Sequence, residues 1–208
     1  MRTLLLTSFI LALFFLSCRK DESKSNSASS DPIPNLVGDY WKYDIHSSNG
    51  DMIGNLEVRI ISQHSLPNGR LVTSWVYAYP EFTDTLYKVL SDSSFDEYMY
   101  DPAIDGRILP QMRYALPMVV GFKYAVNPEL YSDSVSVVSE SSVTVPAGTF
   151  DHTIEHDFIG THYIGNYWNN SRYWFTPNIG NTRMEISVFN LGPDIRNGIY
   201  ELTEYRLK

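Results

Sequence analysis

Along most of this chain apolar and polar residues alternate with a period of two rather than 3.6. The clearest run is Phe150, His152, Ile154, His156 and Phe158, interleaved with Asp151, Thr153, Glu155 and Asp157. On a strand this run gives one apolar and imidazole face and one acidic, polar face. Val143 and Val145 lead into Pro146-Ala147-Gly148, where proline sets φ and glycine supplies the positive φ of a reversal. Similar patterning predicts strands over residues 40–45, 53–61, 71–79, 85–90, 95–100, 134–139, 172–176, 182–189 and 199–207. Asn49-Gly50 and Pro67-Asn68-Gly69 mark the first of these as hairpins. The expectation is an all-β fold: a curved antiparallel meander forming a half-barrel or incomplete barrel, with few or no helices.

Residues 107–120 interrupt the alternation. They are rich in apolar side chains, but Pro110 and Pro117 exclude a central strand and keep any helix short. The segment is expected to cross and pack over an opening of the sheet, or to act as a mobile lid, which makes Leu109, Met112 and Met118 candidate ligand contacts. Beyond it, Val120-Gly121-Phe122-Lys123-Tyr124 echoes Val37-Gly38-Asp39-Tyr40-Trp41, as two similar halves would.

The N-terminus supplies an address. Its apolar run, Leu4 to Leu16, is shorter than the roughly 20 residues of a bilayer-spanning helix and fits the h-region of a signal peptide. The single cysteine follows at once, and Phe15-Leu16-Ser17-Cys18 resembles a lipobox, in which the chain is cut before cysteine and the thiol carries a diacylglyceryl group. Several acyl chains, palmitate among them, anchor stably because each buried methylene contributes about 0.8 kcal/mol. Arg19 stands where an inner-membrane retention aspartate would be, and Arg19-Lys20-Asp21-Glu22 resembles the charged signal of surface lipoproteins in Bacteroidetes. The expected organisation is therefore a signal peptide over 1–17, lipidated Cys18 with a serine-rich flexible linker over 18–35, and one β domain over 36–208. The expected location is the outer membrane, with exposure at the cell surface as the further possibility. A formal net charge of −8 argues against nucleic acid as a partner and favours solubility.

Candidate chemistry is sparse. His152-Thr153-Ile154-Glu155-His156 matches H-x-x-E-H, a zinc-hydrolase motif when helical, because a helix brings i and i+4 to about 6 Å. On the strand read here the two imidazoles stand about 13 Å apart and cannot share one ion. The expected role is structural, two histidines on a half-buried face, with His162 as a third weak metal candidate across a hairpin. Tyr167 and Trp168, in the aromatic and amide-rich run 165–170, are candidate glycan or protein contacts. No phosphate-binding glycine loop, G-x-S-x-G or calcium loop is present, so no cofactor and no catalytic residue is expected.

With these pieces placed, Leu116-Pro117-Met118-Val119-Val120-Gly121-Phe122-Lys123-Tyr124, Val145-Pro146-Ala147-Gly148-Thr149-Phe150 and Tyr173-Trp174-Phe175-Thr176-Pro177-Asn178-Ile179-Gly180 resemble a family of secreted domains and lipoproteins common in Bacteroidetes. The likeness covers about half the chain and consists of turn chemistry. It implies a curved sheet similar to lipoprotein carrier and acceptor proteins, which hold acyl chains on a concave apolar face. It implies no reaction. The functional expectation is a lipid-anchored, non-catalytic module for an amphipathic or lipid-like ligand, with a surface glycan- or protein-binding module as the alternative.

Overall fold

The computed structural model describes residues 33–104, 110–126, 134–162, 167–189 and 197–208, with backbone alone for 161, 162, 167–169 and 189. The described residues form strands and turns, and no helix occurs among them. In chain order the strands are β1 (Tyr40–His46), β2 (Met52–Ser65), β3 (Leu71–Ala78), β4 (Thr83–Leu90), β5 (Ser94–Tyr98), β6 (Met112–Ala115) and β7 (Lys123–Ala125). Then follow β8 (Ser134–Val145), β9 (Gly148–His162), β10 (Tyr167–Thr176), β11 (Gly180–Ile186), β12 (Val188–Phe189) and β13 (Gly198–Arg206).

These strands make one antiparallel sheet in the order β6-β5-β4-β3-β2-β1-β13-β11-β10-β9-β8-β7, with the short β12 beside β10. The all-β incomplete barrel expected from the alternation is borne out. Each half of the chain is a meander, as consecutive hairpins dictate. The last strand, β13, joins the halves by pairing with β1 on one side and β11 on the other. The sheet therefore ends at β6 and β7, which are neighbours in sequence and joined by residues 116–122.

Strong curling brings distant strands together. Tyr114 of β6 meets Phe175 of β10 at 5.9 Å and Tyr173 of β10 at 6.5 Å, although seven strands separate β6 from β10 along the sheet. The core fills the concave side. Trp41 stacks on Trp75 at 5.0 Å, Trp75 meets Phe95 edge-on at 6.0 Å, and Phe95 lies 6.4 Å from Tyr114. Burial of each large side chain contributes about 1.5–3 kcal/mol, and the tilted and edge-on ring contacts add to that. Core packing begins at Ile33, which is buried, and Asn35 accepts a 2.6 Å hydrogen bond from the Thr73 hydroxyl. The last residues of the stretch read as linker thus touch the domain.

The β8–β9 hairpin folds back over the core. Val145 is buried in it, Val143, Ala147 and Phe150 pack against it, and the Ala147 amide donates to the Leu202 carbonyl at 2.9 Å. The alternation expected along β9 is interrupted at this bend and resumes beyond it. His152 adopts φ of 56°, the pairing with β8 shifts between Ser141 and Val143, and Thr153 and Ile154 are both buried in succession. A bulge inserts one residue into one strand of the pair and displaces the side chains beside it, and beyond it Ile154, His156 and Phe158 are buried in the phase that the alternation predicts. His152 is therefore exposed, not on the half-buried face, and its ring bonds to Glu140 at 2.7 Å. His156 is fully inside.

Candidate functional site

Two features of the concave side could receive a ligand: the aromatic interior and the seam between β6 and β7.

The interior holds a buried ion pair. Lys88 and Glu97 are directly opposite on β4 and β5, and Lys88 Nζ lies 2.9 Å from Glu97 Oε2. Alternation turns Lys88 inward because Val89, its neighbour, packs in a separate cluster with Leu66, Val72 and Tyr98 on the other face. The Lys88 ammonium sits 4.2 Å from the Trp75 ring centroid and 5.3 Å from that of Phe95, so quadrupole attraction adds to its pairing. Gln111 donates to the other Glu97 oxygen at 3.3 Å. Beside this pair lies a cavity of about 40 Å³, lined by Ile33, Trp41, Tyr43, Trp75, Asn181 and others. That is room for one or two waters and not for an acyl chain. Gly180 borders it at φ of +101°, and a Cβ there would stand 3.3 Å from Trp41 Nε1, which donates to the Ile179 carbonyl at 2.6 Å. Glycine lets the backbone approach the indole face.

Burial raises the Tyr77 and Tyr114 hydroxyls well above the ordinary phenol range, and Tyr43 also rises, so all three remain protonated donors. On the other face, where Val89 lies, Arg113 is held by Asp96, its neighbour across the β5–β6 ladder, through bonds of 2.6 and 2.9 Å.

His156 differs from these paired groups. It is 1% exposed and packs edge-on against Tyr114 at 5.2 Å, yet neither ring nitrogen has a hydrogen-bond partner among the described residues. Burial is the main cause that lowers its pKa to about 4; the Ile154 backbone pushes in the opposite direction without reaching hydrogen-bond geometry. Asn181 reaches the Tyr114 hydroxyl at 3.3 Å through Nδ2, while its Oδ1 is buried and unpartnered among the described residues.

The seam is where the sheet ends. No ladder joins β6 to β7. The Tyr124 hydroxyl donates to the Arg113 carbonyl at 2.9 Å, and Met112 packs against both the main core and the small cluster of Val126, Val135 and Phe158. Burial moves the Tyr124 phenol up to about 12, so this donor is protonated at any physiological pH. Leu116 and Met118 pack inward, while Val119, Val120 and Phe122 are about half exposed at the outer lip. The proline-broken segment thus supplies the edge strand β6 and packs across the opening of the sheet.

Among the sequence candidates, Met112 and Met118 lie at the seam, and Leu109 and Cys18 fall outside the described residues. Tyr167 and Trp168 lie on β10, opposite His162 and Thr161 of β9; their side chains, and that of His162, fall outside the described residues. His152 and His156 end on different sides of the bulge. Sequence reasoning missed Lys88, Glu97, Tyr114 and Asn181. Only the inward phase of β4, β5 and β6 could have pointed to the first three, and that phase is invisible until the concave face is known.

No protein-family model matches this chain, and no curated protein matches it. Among solved structures, a protein from Bacteroides fragilis described as exported and of YmcC-like fold aligns with a TM-score of 0.50 at 17% identity, over 84% of this chain and 98% of that one. A protein from Parabacteroides distasonis described as a lipoprotein aligns with a TM-score of 0.49 at 14% identity, over 85% of this chain and 98% of that one. At such identity the likeness to the first is one of fold.

Proposed function

We propose that this chain is a lipid-anchored module of the bacterial cell envelope that binds an amphipathic, lipid-like ligand and performs no catalysis. The lipobox-like run ending in Cys18 and the fold shared with a protein described as exported support the envelope address, with the outer membrane as its place. The observation that carries the binding reading is the seam. A nearly closed sheet ends in two strands linked, among the described residues, by a side-chain hydrogen bond and a methionine contact, with aromatic residues inside and Val119, Val120 and Phe122 at the lip. Apolar surface at the lip and core beneath it would line the route of an amphiphile between parted strands. The cavity of about 40 Å³ is too small for an acyl chain, so binding requires the interior to widen. Entry requires β6 and β7 to part.

The test is native mass spectrometry of the exported chain carrying Cys18→Ala, which is not acylated and needs no detergent, before and after incubation with a total lipid extract of its host. The expected outcome is an adduct of lipid mass, together with a change in fluorescence from Trp41 and Trp75. A mass that stays bare and an emission that stays fixed would overturn the reading. Tyr167 and Trp168 would then be the next surface to probe, with glycans and envelope proteins.

A further inference from the structure

The polar groups of the interior narrow the chemistry of the ligand. Resting on the binding reading above, we propose that the interior selects an uncharged amphiphile whose polar end bears hydroxyl or amide groups, received by His156 and Asn181 where both meet Tyr114.

Three buried polar atoms lack partners at this place among the described residues: His156 Nδ1, His156 Nε2 and Asn181 Oδ1. Tyr114 links the two residues, since its ring lies 5.2 Å from the His156 ring and its oxygen 3.3 Å from Asn181 Nδ2. Leaving such groups dry and unpaired is unfavourable, and a ligand that pairs them recovers that loss on binding. A neutral imidazole offers one donor and one acceptor whichever tautomer is present, and the Asn181 carbonyl offers a second acceptor. Their complement is a group that both donates and accepts, as a hydroxyl or an amide does.

Among the described residues near this place, the charged side chains are already paired. The Lys88 ammonium is held by Glu97 at 2.9 Å and by three aromatic faces, so it is not free for a phosphate or carboxylate. Arg113 faces away from the interior and is engaged in both its bonds to Asp96. With His156 uncharged above about pH 4, an anion entering would be desolvated without a partner. Glu97 is already neutralised by Lys88 and is not free for a cation.

The experiment compares 1-monooleoylglycerol, oleate and dioleoylphosphatidylglycerol as probes of one chain length, by calorimetry and native mass spectrometry on the Cys18→Ala chain. The monoacylglycerol is expected to bind at least about tenfold more tightly than either anion. His156→Leu and Asn181→Leu are each expected to weaken it by about tenfold, while His156→Gln, which keeps a donor and an acceptor, retains most of the affinity. Should His156→Leu fail to fold, Asn181→Leu and His156→Gln carry the comparison. Equal or tighter binding of either anion, or indifference to both leucine variants, would overturn the head-group assignment and leave the binding module standing. Binding of none of the three would overturn both.

Discussion

Lys88 and Glu97 face each other across two strands inside a wall of aromatic rings, and neither is tolerable there alone. An ion pair taken out of water returns little net stability, but removal of one partner strands the other charge. Lys88→Met is therefore expected to destabilise the protein by about 3–5 kcal/mol in urea unfolding, and Lys88→Met with Glu97→Leu to recover most of that loss. A double variant as unstable as the single one would contradict the pairing. His156 gives a pH signature of opposite kind. Its folded pKa of about 4 lies below the ordinary value of 6.5, so the unfolded chain binds the proton first as pH falls. Its contribution is complete above pH 6.5 and is lost between pH 6.5 and 4, by about 3 kcal/mol over that window. Comparison of unfolding free energies for wild type and His156→Gln across pH 4–7 isolates this loss, which the variant should not show. The sequence placed His152 and His156 on one face because it could not reveal the left-handed φ at His152, which turns that one side chain out while Ile154, His156 and Phe158 stay inside.

At the scale of elements, turn chemistry was the most legible part. Gly38 and Gly121 both take positive φ at the third position of a turn, 36–39 and 119–122. In each turn the glycine amide donates to a neighbouring strand at 2.8 Å, to the Ile60 carbonyl in one and the Val137 carbonyl in the other. The echo of five residues therefore marks one local geometry used twice, at the start of each meander. Proline placement was equally informative, since Pro110 and Pro117 bound the short edge strand β6. That β6 and β7 come back to face one another was not legible, because no local signal encodes how far a sheet curls. Tyr124→Phe tests this contact. It should cost about 1 kcal/mol and speed amide hydrogen exchange in β6 and β7 while leaving β2 and β3 unchanged. Uniform acceleration throughout the sheet would mean that the seam is not a separate opening unit.

For the molecule as a whole, β13 is decisive. It is the last strand of the chain yet the central one of the sheet, and Tyr200 and Leu202 on it are fully buried. A chain ending at Asn197 would leave β1 and β11 as two open edges, exposing both meanders to aggregation. Such a truncation is expected to yield no cooperative thermal transition by circular dichroism, whereas a chain lacking only Lys208 should melt as a single unit. The sequence by itself determined the class of fold, the hairpins and the proline-broken crossing, because period-two burial and turn residues act over a few neighbours. Tertiary structure alone decided which face is concave, which strand stands at the centre, and that His156 and Asn181 meet at Tyr114. Those depend on pairings between residues far apart in the chain, and a single bulge is enough to turn His152 out of its face.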